Sequence, residues 1–181
     1  MLLALALVSS LSILSCGYTL VGKGDALPEH VKKTRIPVFQ NLTLEAGIEA
    51  LVTDAFVARV MNRGLEVTDD APDAEIEGTV VSYSLKRLSY DKEGIPNEYR
   101  VEITAEIKMT DLVNDEVIFP ARKFSVGKDY KVDEEVSDLY RQGLGEEEQN
   151  VQTREQARKR ALEMASIDLA EKAISALLDA F

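Results

Sequence analysis

Tryptophan is absent from this chain, histidine and cysteine occur once each, and 21 Lys and Arg face 32 Asp and Glu. Each shortage excludes something. A single histidine, His30, leaves no way to build a histidine-based catalytic triad or a multi-histidine metal site within the chain. A single cysteine, Cys16, leaves no internal disulfide. A net charge of −11 argues against nucleic acid as a partner, because neutralising phosphates needs a basic face. It argues equally against a polybasic grip on anionic lipid. The Gly-rich stretch after Cys16 lacks the strand–GxGxxG–helix setting of a nucleotide site, and no Walker Lys-Ser/Thr pair occurs. The acids Glu134-Glu135 and Glu146-Glu147-Glu148 are adjacent, not alternating as in a calcium loop, and read as a solvated surface. No catalytic residue, metal or cofactor is therefore assigned, and the chain reads as a non-enzyme.

What is present begins with an apolar leader. Leu2 to Leu14 is uncharged and dominated by Leu, Ala, Val and Ile. Its length suits the core of an export signal, whereas a membrane-spanning helix needs about 20 apolar residues. The run closes on Ile13-Leu14-Ser15-Cys16, which resembles a bacterial lipobox: an aliphatic residue, a small residue immediately before the cysteine, then cysteine. Residues 1–15 are thus expected to be a lipoprotein signal peptide. Cys16 is expected to carry a diacylglyceryl thioether and an acylated (palmitate-type) amino terminus. Two or three acyl chains hold a protein on a bilayer where one does so only marginally. Gly17 favours delivery to the outer membrane over inner-membrane retention. A lone cysteine in an exported chain thereby acquires a purpose.

Residues 16–32 read as a lipidated tether, and 33–181 as one domain, since the remaining length suits a single core. Thr34–Phe39 is expected to be a first strand, with Pro37 placing it at an edge or bulge. Asn41 and Thr43 are expected to cap a helix over Ala46–Arg63, whose apolar residues Ile48, Leu51, Val52, Ala55, Phe56 and Val60 fall at helical spacing. Gly64 supplies its stop. A long strand, Ala74–Tyr90, follows, with Gly78 marking a bulge or close packing. From Tyr99 to Met109 apolar and polar residues alternate strictly, which means one face on a core and the other in a polar medium. Asn114-Asp115 turns the chain into Val117–Tyr130. Asp133–Gln149 is left open between loop and short helix. Thr153-Arg154-Glu155-Gln156 fits a capping box for a final helix to Phe181, with Leu162, Ala165, Leu169, Ala173, Ala176 and Leu177 inward.

The order β-α-β-β-β-α points to an α+β two-layer sandwich, in which one roughly four-stranded antiparallel or mixed sheet carries two helices on one face. The other face would remain polar and exposed, the natural place for a partner. One local cationic feature stands out against the acidic whole. Lys86, Arg87 and Lys92 lie at the end of a strand and its turn, and Arg100 stands just beyond, a candidate contact for phosphate. Asp91, Glu93 and Glu98 among them admit a second reading, local ion pairing.

The succession of Cys16-Gly17-Tyr18-Thr19-Leu20-Val21-Gly22, Ile36-Pro37-Val38-Phe39-Gln40-Asn41-Leu42-Thr43, Asp73-Ala74-Glu75-Ile76-Glu77-Gly78-Thr79-Val80, and Tyr90 through Gly94 to Glu98-Tyr99-Arg100-Val101 resembles the LPS-assembly lipoprotein family, LptE. The resemblance spans almost all of the chain after Cys16. It implies an outer-membrane lipoprotein that plugs the β-barrel LptD, assists its assembly, and helps deliver lipopolysaccharide to the cell surface without catalysis. It implies as partners an LptD-like barrel, lipopolysaccharide and the membrane, with Lys92 standing where a basic residue of the family matches. A periplasm-facing lipoprotein that binds a small ligand or cell-wall component is the competing expectation.

Overall fold

The computed structural model describes residues 27–90, 92, 94, 96–131 and 147–179. The signal peptide, Cys16, most of the tether and the 133–146 part of the acidic segment lie outside the described residues. Eight elements follow one another: β1 (Lys33–Arg35), β2 (Gln40–Asn41), α1 (Ile48–Asn62), β3 (Glu66–Val67), β4 (Ala74–Tyr90), β5 (Pro96–Asp111), β6 (Glu116–Lys131) and α2 (Glu147–Leu178). They make an α+β fold on one mixed sheet of six strands in the order β3-β1-β4-β5-β6, with β2 also on β4. The α+β class agrees with the sequence, and the strand count does not.

The difference lies at one edge. The expected strand 34–39 is broken into β1 and β2, which pair in parallel with successive stretches of β4, Thr34 opposite Ala74 and Gln40 opposite Thr79. Pro37 sits in the gap, where its missing N–H costs the ladder nothing. Glu66–Val67, between the stop at Gly64 and the long strand β4, contributes β3, parallel to β1. The antiparallel remainder is long: β5 pairs with β4 and β6 almost end to end.

Strict alternation in β5 translates directly into burial. Val101, Ile103, Ala105, Ile107 and Met109 are buried beneath the helices, while Arg100, Glu102, Thr104, Glu106 and Lys108 face away. The inward side meets Ile48, Val52, Phe56 and Val60 of α1 and Leu162, Ala165, Leu169, Ala173 and Leu177 of α2 in one apolar cluster. The helix α2 also buries Ala161, Ser166, Ala170 and Ile174, so its inner face is rich in small side chains that admit close approach. Among the described residues no helix is long and apolar enough to cross a membrane.

Phe39, in the gap between β1 and β2, explains Gly78. Its ring lies 4.9 Å from that of Phe56 and presses on the glycine, where an added Cβ would stand 2.2 Å from a ring carbon. Close packing is therefore the reason for this glycine, and the bulge falls further on, between Val80 and Ser82. The Phe39 N–H, without a strand partner, donates to Thr53 Oγ1 at 3.0 Å, and that hydroxyl donates to the Glu49 carbonyl. A buried backbone donor left by the broken strand is thus satisfied by α1.

The helix boundaries moved. Helix α1 begins at Ile48, after Gly47 in a left-handed conformation, and has no side-chain cap. Asn41 and Thr43 instead organise the preceding loop: Asn41 Oδ1 accepts from Thr43, and Asn41 Nδ2 donates to the Glu45 carbonyl and to Glu49. The stop is as expected. Gly64, at φ +88, donates to Met61 and Leu65 to Val60, the paired bonds of a Schellman end. Helix α2 begins at Glu147, so the Thr153 capping box lies within it and residues 147–149 are helical.

Residues 27–32 lie against this body. Leu27 and Val31 join the core, and His30 Nε2 lies 2.7 Å from Oδ2 of buried Asp111.

Candidate functional site

The sheet face opposite the helices is mostly polar. Cross-strand ion pairs run over it: Arg35–Glu75, Lys108–Glu77, Lys86–Glu102 and Arg100–Asp129. Thr104 adds a hydroxyl bond to Ser125 at 3.0 Å. Exposed pairs of this kind contribute little stability each. Their consequence is a hydrated surface of both signs that no described element covers.

At one end of this face lie the four cations singled out from the sequence. Strands β4 and β5 bring Lys86, Arg87 and Arg100 together, and Lys92 occupies the turn that joins them. Lys86 stands directly opposite Arg100, and Arg87 opposite Tyr99. Successive side chains of a strand alternate, so Lys86 and Arg100 share the polar face while Arg87 turns toward the helix side.

The charges on the polar face are already engaged. Lys86 Nζ donates to Glu102 at 2.7 Å, and the Arg100 guanidinium forks onto both Asp129 oxygens. The Lys86 hydrogen bond holds the Glu102 carboxyl below the usual range, and the Arg100 fork does the same for Asp129. An anion reaching Lys86 or Arg100 has to compete with those carboxylates. Among the described residues Arg87 and Lys92 have no carboxylate partner.

Sequence reasoning missed the aromatic side of this hairpin end. Tyr99 and Tyr130 stack at 5.3 Å between centroids, 13° from parallel, beside Arg87. Burial, with Tyr99 and Tyr83 nearby, pushes the Tyr130 phenol up to about 12. Both tyrosines were visible as sheet residues; their pairing follows only from the β5–β6 register. Arg158 was missed as well. From α2 it bonds Glu155 of the same helix and reaches out to Glu45 at 2.6 Å and to the Tyr83 hydroxyl at 3.3 Å, and these acceptors raise its pKa. No sequence signal ties Arg158 to Glu45, which lies more than a hundred residues earlier.

Beside Arg158, a groove of about 300 Å³ runs between the start of α1 and α2, lined by Gly47, Ile48, Leu51, Asp54, Lys159 and Leu162, among others. Among the described residues no group of three or more His, Cys, Asp or Glu side chains stands ready to hold a metal ion.

The family model LptE, described as lipopolysaccharide-assembly, matches residues 31–177, most of the chain. The chain belongs to the LptE family. The LptE match begins within the segment carrying His30 and Val31 and runs to the last buried turn of α2, so the described fold and the family unit coincide. Similar solved structures include a minor lipoprotein from Acinetobacter baumannii, at 16% identity over 84% of this chain and 94% of that one, with a TM-score of 0.47. The rare lipoprotein B of Shewanella oneidensis is similar at 16% identity over 80% and 94%, with a TM-score of 0.44. A PelC dodecamer from Paraburkholderia phytofirmans is similar at 15% identity over 87% and 93%, with a TM-score of 0.46. No curated protein matches the sequence.

Proposed function

We propose that this LptE-family chain is a non-catalytic outer-membrane lipoprotein, anchored through acyl groups on Cys16, that plugs an LptD-like β-barrel and assists lipopolysaccharide delivery. The observation that carries the reading is the uncovered polar sheet face. Barrel interiors of the outer membrane are themselves polar, so a plug must present hydrated side chains of both signs rather than an apolar patch. The ion-paired face of β4, β5 and β6 meets that requirement, and the apolar residues on the other side are closed off by α1 and α2.

Dimensions support it too. The 16 residues of β5, at about 3.3 Å each, separate its two ends by about 50 Å. A bilayer with headgroups is about 40–45 Å thick. A domain tethered near the Asp111 end and standing in a lumen would carry the Lys92 turn toward the opposite leaflet. In this reading Lys92 and Arg87 are the first lipopolysaccharide contacts, and Lys86 and Arg100 are held back by Glu102 and Asp129.

Purification of the chain from outer membranes in gentle detergent tests the partnership. A large β-barrel is expected to accompany it in stoichiometric amount, and its absence sinks the plug reading. Charge reversal of Lys92 with Arg87 is expected to weaken lipopolysaccharide binding by about tenfold, as loss of two solvent-exposed charge contacts of about 0.7 kcal/mol each implies. Unchanged affinity would remove those residues from the proposal.

A further inference from the structure

A groove of about 340 Å³ opens where three parts of the chain meet. Leu27, Pro28 and Val31 line it from the N-terminal segment, Leu65 from the loop after α1, and Leu178 from the end of α2. Glu29 and Arg63 complete the lining. The Arg63 guanidinium is directed to α2, 3.4 Å from Ser175 Oγ and 3.6 Å from the Glu171 carboxylate. Leu27 and Val31 are buried, whereas Leu65 and Leu178 are only partly covered and pack on the core from outside. The groove therefore holds apolar surface against water, at the point where the N-terminal segment meets the domain.

Volume and sequence select the occupant. An apolar cavity of about 150 Å³ takes up a benzene ring, so this groove has room for one aromatic side chain. After Leu178 the sequence reads Asp179-Ala180-Phe181, in which only Phe181 is large and apolar. Three residue steps reach at most about 11 Å. Phe181 also stands three residues after Leu178 and four after buried Leu177, the spacing that sets side chains on one face of a helical turn. The Asp179 N–H still donates to the Ser175 carbonyl at 2.9 Å, so the helical path persists where that turn would begin.

We propose that the ring of Phe181 docks in this groove and clamps residues 27–31 against the end of α2. The ring covers the flanks of Leu65 and Leu178, and Arg63 in the groove wall supplies a cation suited to an aromatic face. The consequence concerns the tether. Leu27 and Val31 gain a second support besides the core, so the chain leading back to Cys16 departs from a fixed point on the domain. That holds for a domain standing in a barrel lumen as for one outside it.

The chain has no tryptophan, so Phe181→Trp gives the full chain a single indole reporter. Leu44→Trp, at a fully exposed position, is the control. Emission of the Phe181→Trp chain is expected to lie to the blue of the control and to be quenched by acrylamide about threefold less, as burial of most of the ring implies. Equal quenching of the two chains overturns the proposal. Hydrogen exchange of Phe181→Ala then locates the ring. The Val31 amide, bonded to the Pro28 carbonyl, and the Leu65 amide, bonded to that of Val60, are the reporters. Both are expected to exchange about fivefold faster than in the parent, with Ile103 and Ile107 of β5 unchanged, as local opening of a clamp implies. Unchanged exchange at Val31 and Leu65 places the ring elsewhere, and a uniform change gives it no local role; either result overturns the clamp.

Discussion

At the scale of single residues, two side chains carry more of the fold than their size suggests. Gly78 exists to receive Phe39, and there is no room for anything larger. Gly78→Ala is expected to force the ring out of its place against Phe56 and to destabilise the domain by about 1–3 kcal/mol, the usual range for overpacking. A denaturant midpoint equal to that of the parent chain would contradict this. Asp111 is the second case. Burial pushes its carboxyl up, but the donors on Asn114, Val113 and His30 outweigh burial and bring it down to about 2, from an ordinary 3.8. The folded value is the lower one, so the ionised carboxylate contributes stability above pH 3.8, and that contribution is lost as the pH falls from there to about 2. Asp111→Asn is expected to lose about 1–3 kcal/mol at neutral pH, since strong acceptors are withdrawn from buried donors. Its urea midpoint should then change less than that of the parent over the acidic window, and parallel pH curves would refute the assignment.

At the scale of elements, legibility tracked periodicity. The alternation of β5 and the helical stripe of α1 were readable because their burial repeats with the strand or helix period. The stop at Gly64 was readable because a left-handed end needs a residue without a side chain. The split of the first strand was not, since β1 and β2 hold three and two residues and form through pairing with distant strands, β1 with β4 and β3, β2 with β4. β3, two residues long, likewise exists through its pairing with β1. Asn41 and Thr43 misled because the side chains that cap helices also organise loops. For the cationic hairpin, the sequence was enough to collect Lys86, Arg87, Lys92 and Arg100 at one end, while the division of Lys86 from Arg87 across the sheet needed the cross-strand register. Arg158 shows the limit most plainly. Its contacts to Glu45 and Tyr83 tie the beginning of α2 to the loop before α1 and to β4. Arg158→Ala is expected to cost about 1–2 kcal/mol. Backbone amides near Leu162 should also exchange faster than those near Leu177, and a uniform change along α2 would show that Arg158 has no local role.

At the scale of the whole molecule, the sheet is supported unevenly. From Ala74 to Val80, β4 has neighbours on both sides, β1 and β2 on one and β5 on the other. Beyond the bulge at Ser82 it has only β5, and its exposure rises through Leu85, Lys86, Arg87 and Leu88. The antiparallel strands are therefore built as a cantilever is, supported on more sides at the core than toward Tyr90 and Pro96, and compliance is expected to rise along that length. Thermal bending of such a beam grows along its length. If the cationic end meets lipopolysaccharide as proposed, it would adjust to a large, irregular headgroup while the root, wedged by Phe39 against Gly78, keeps its angle.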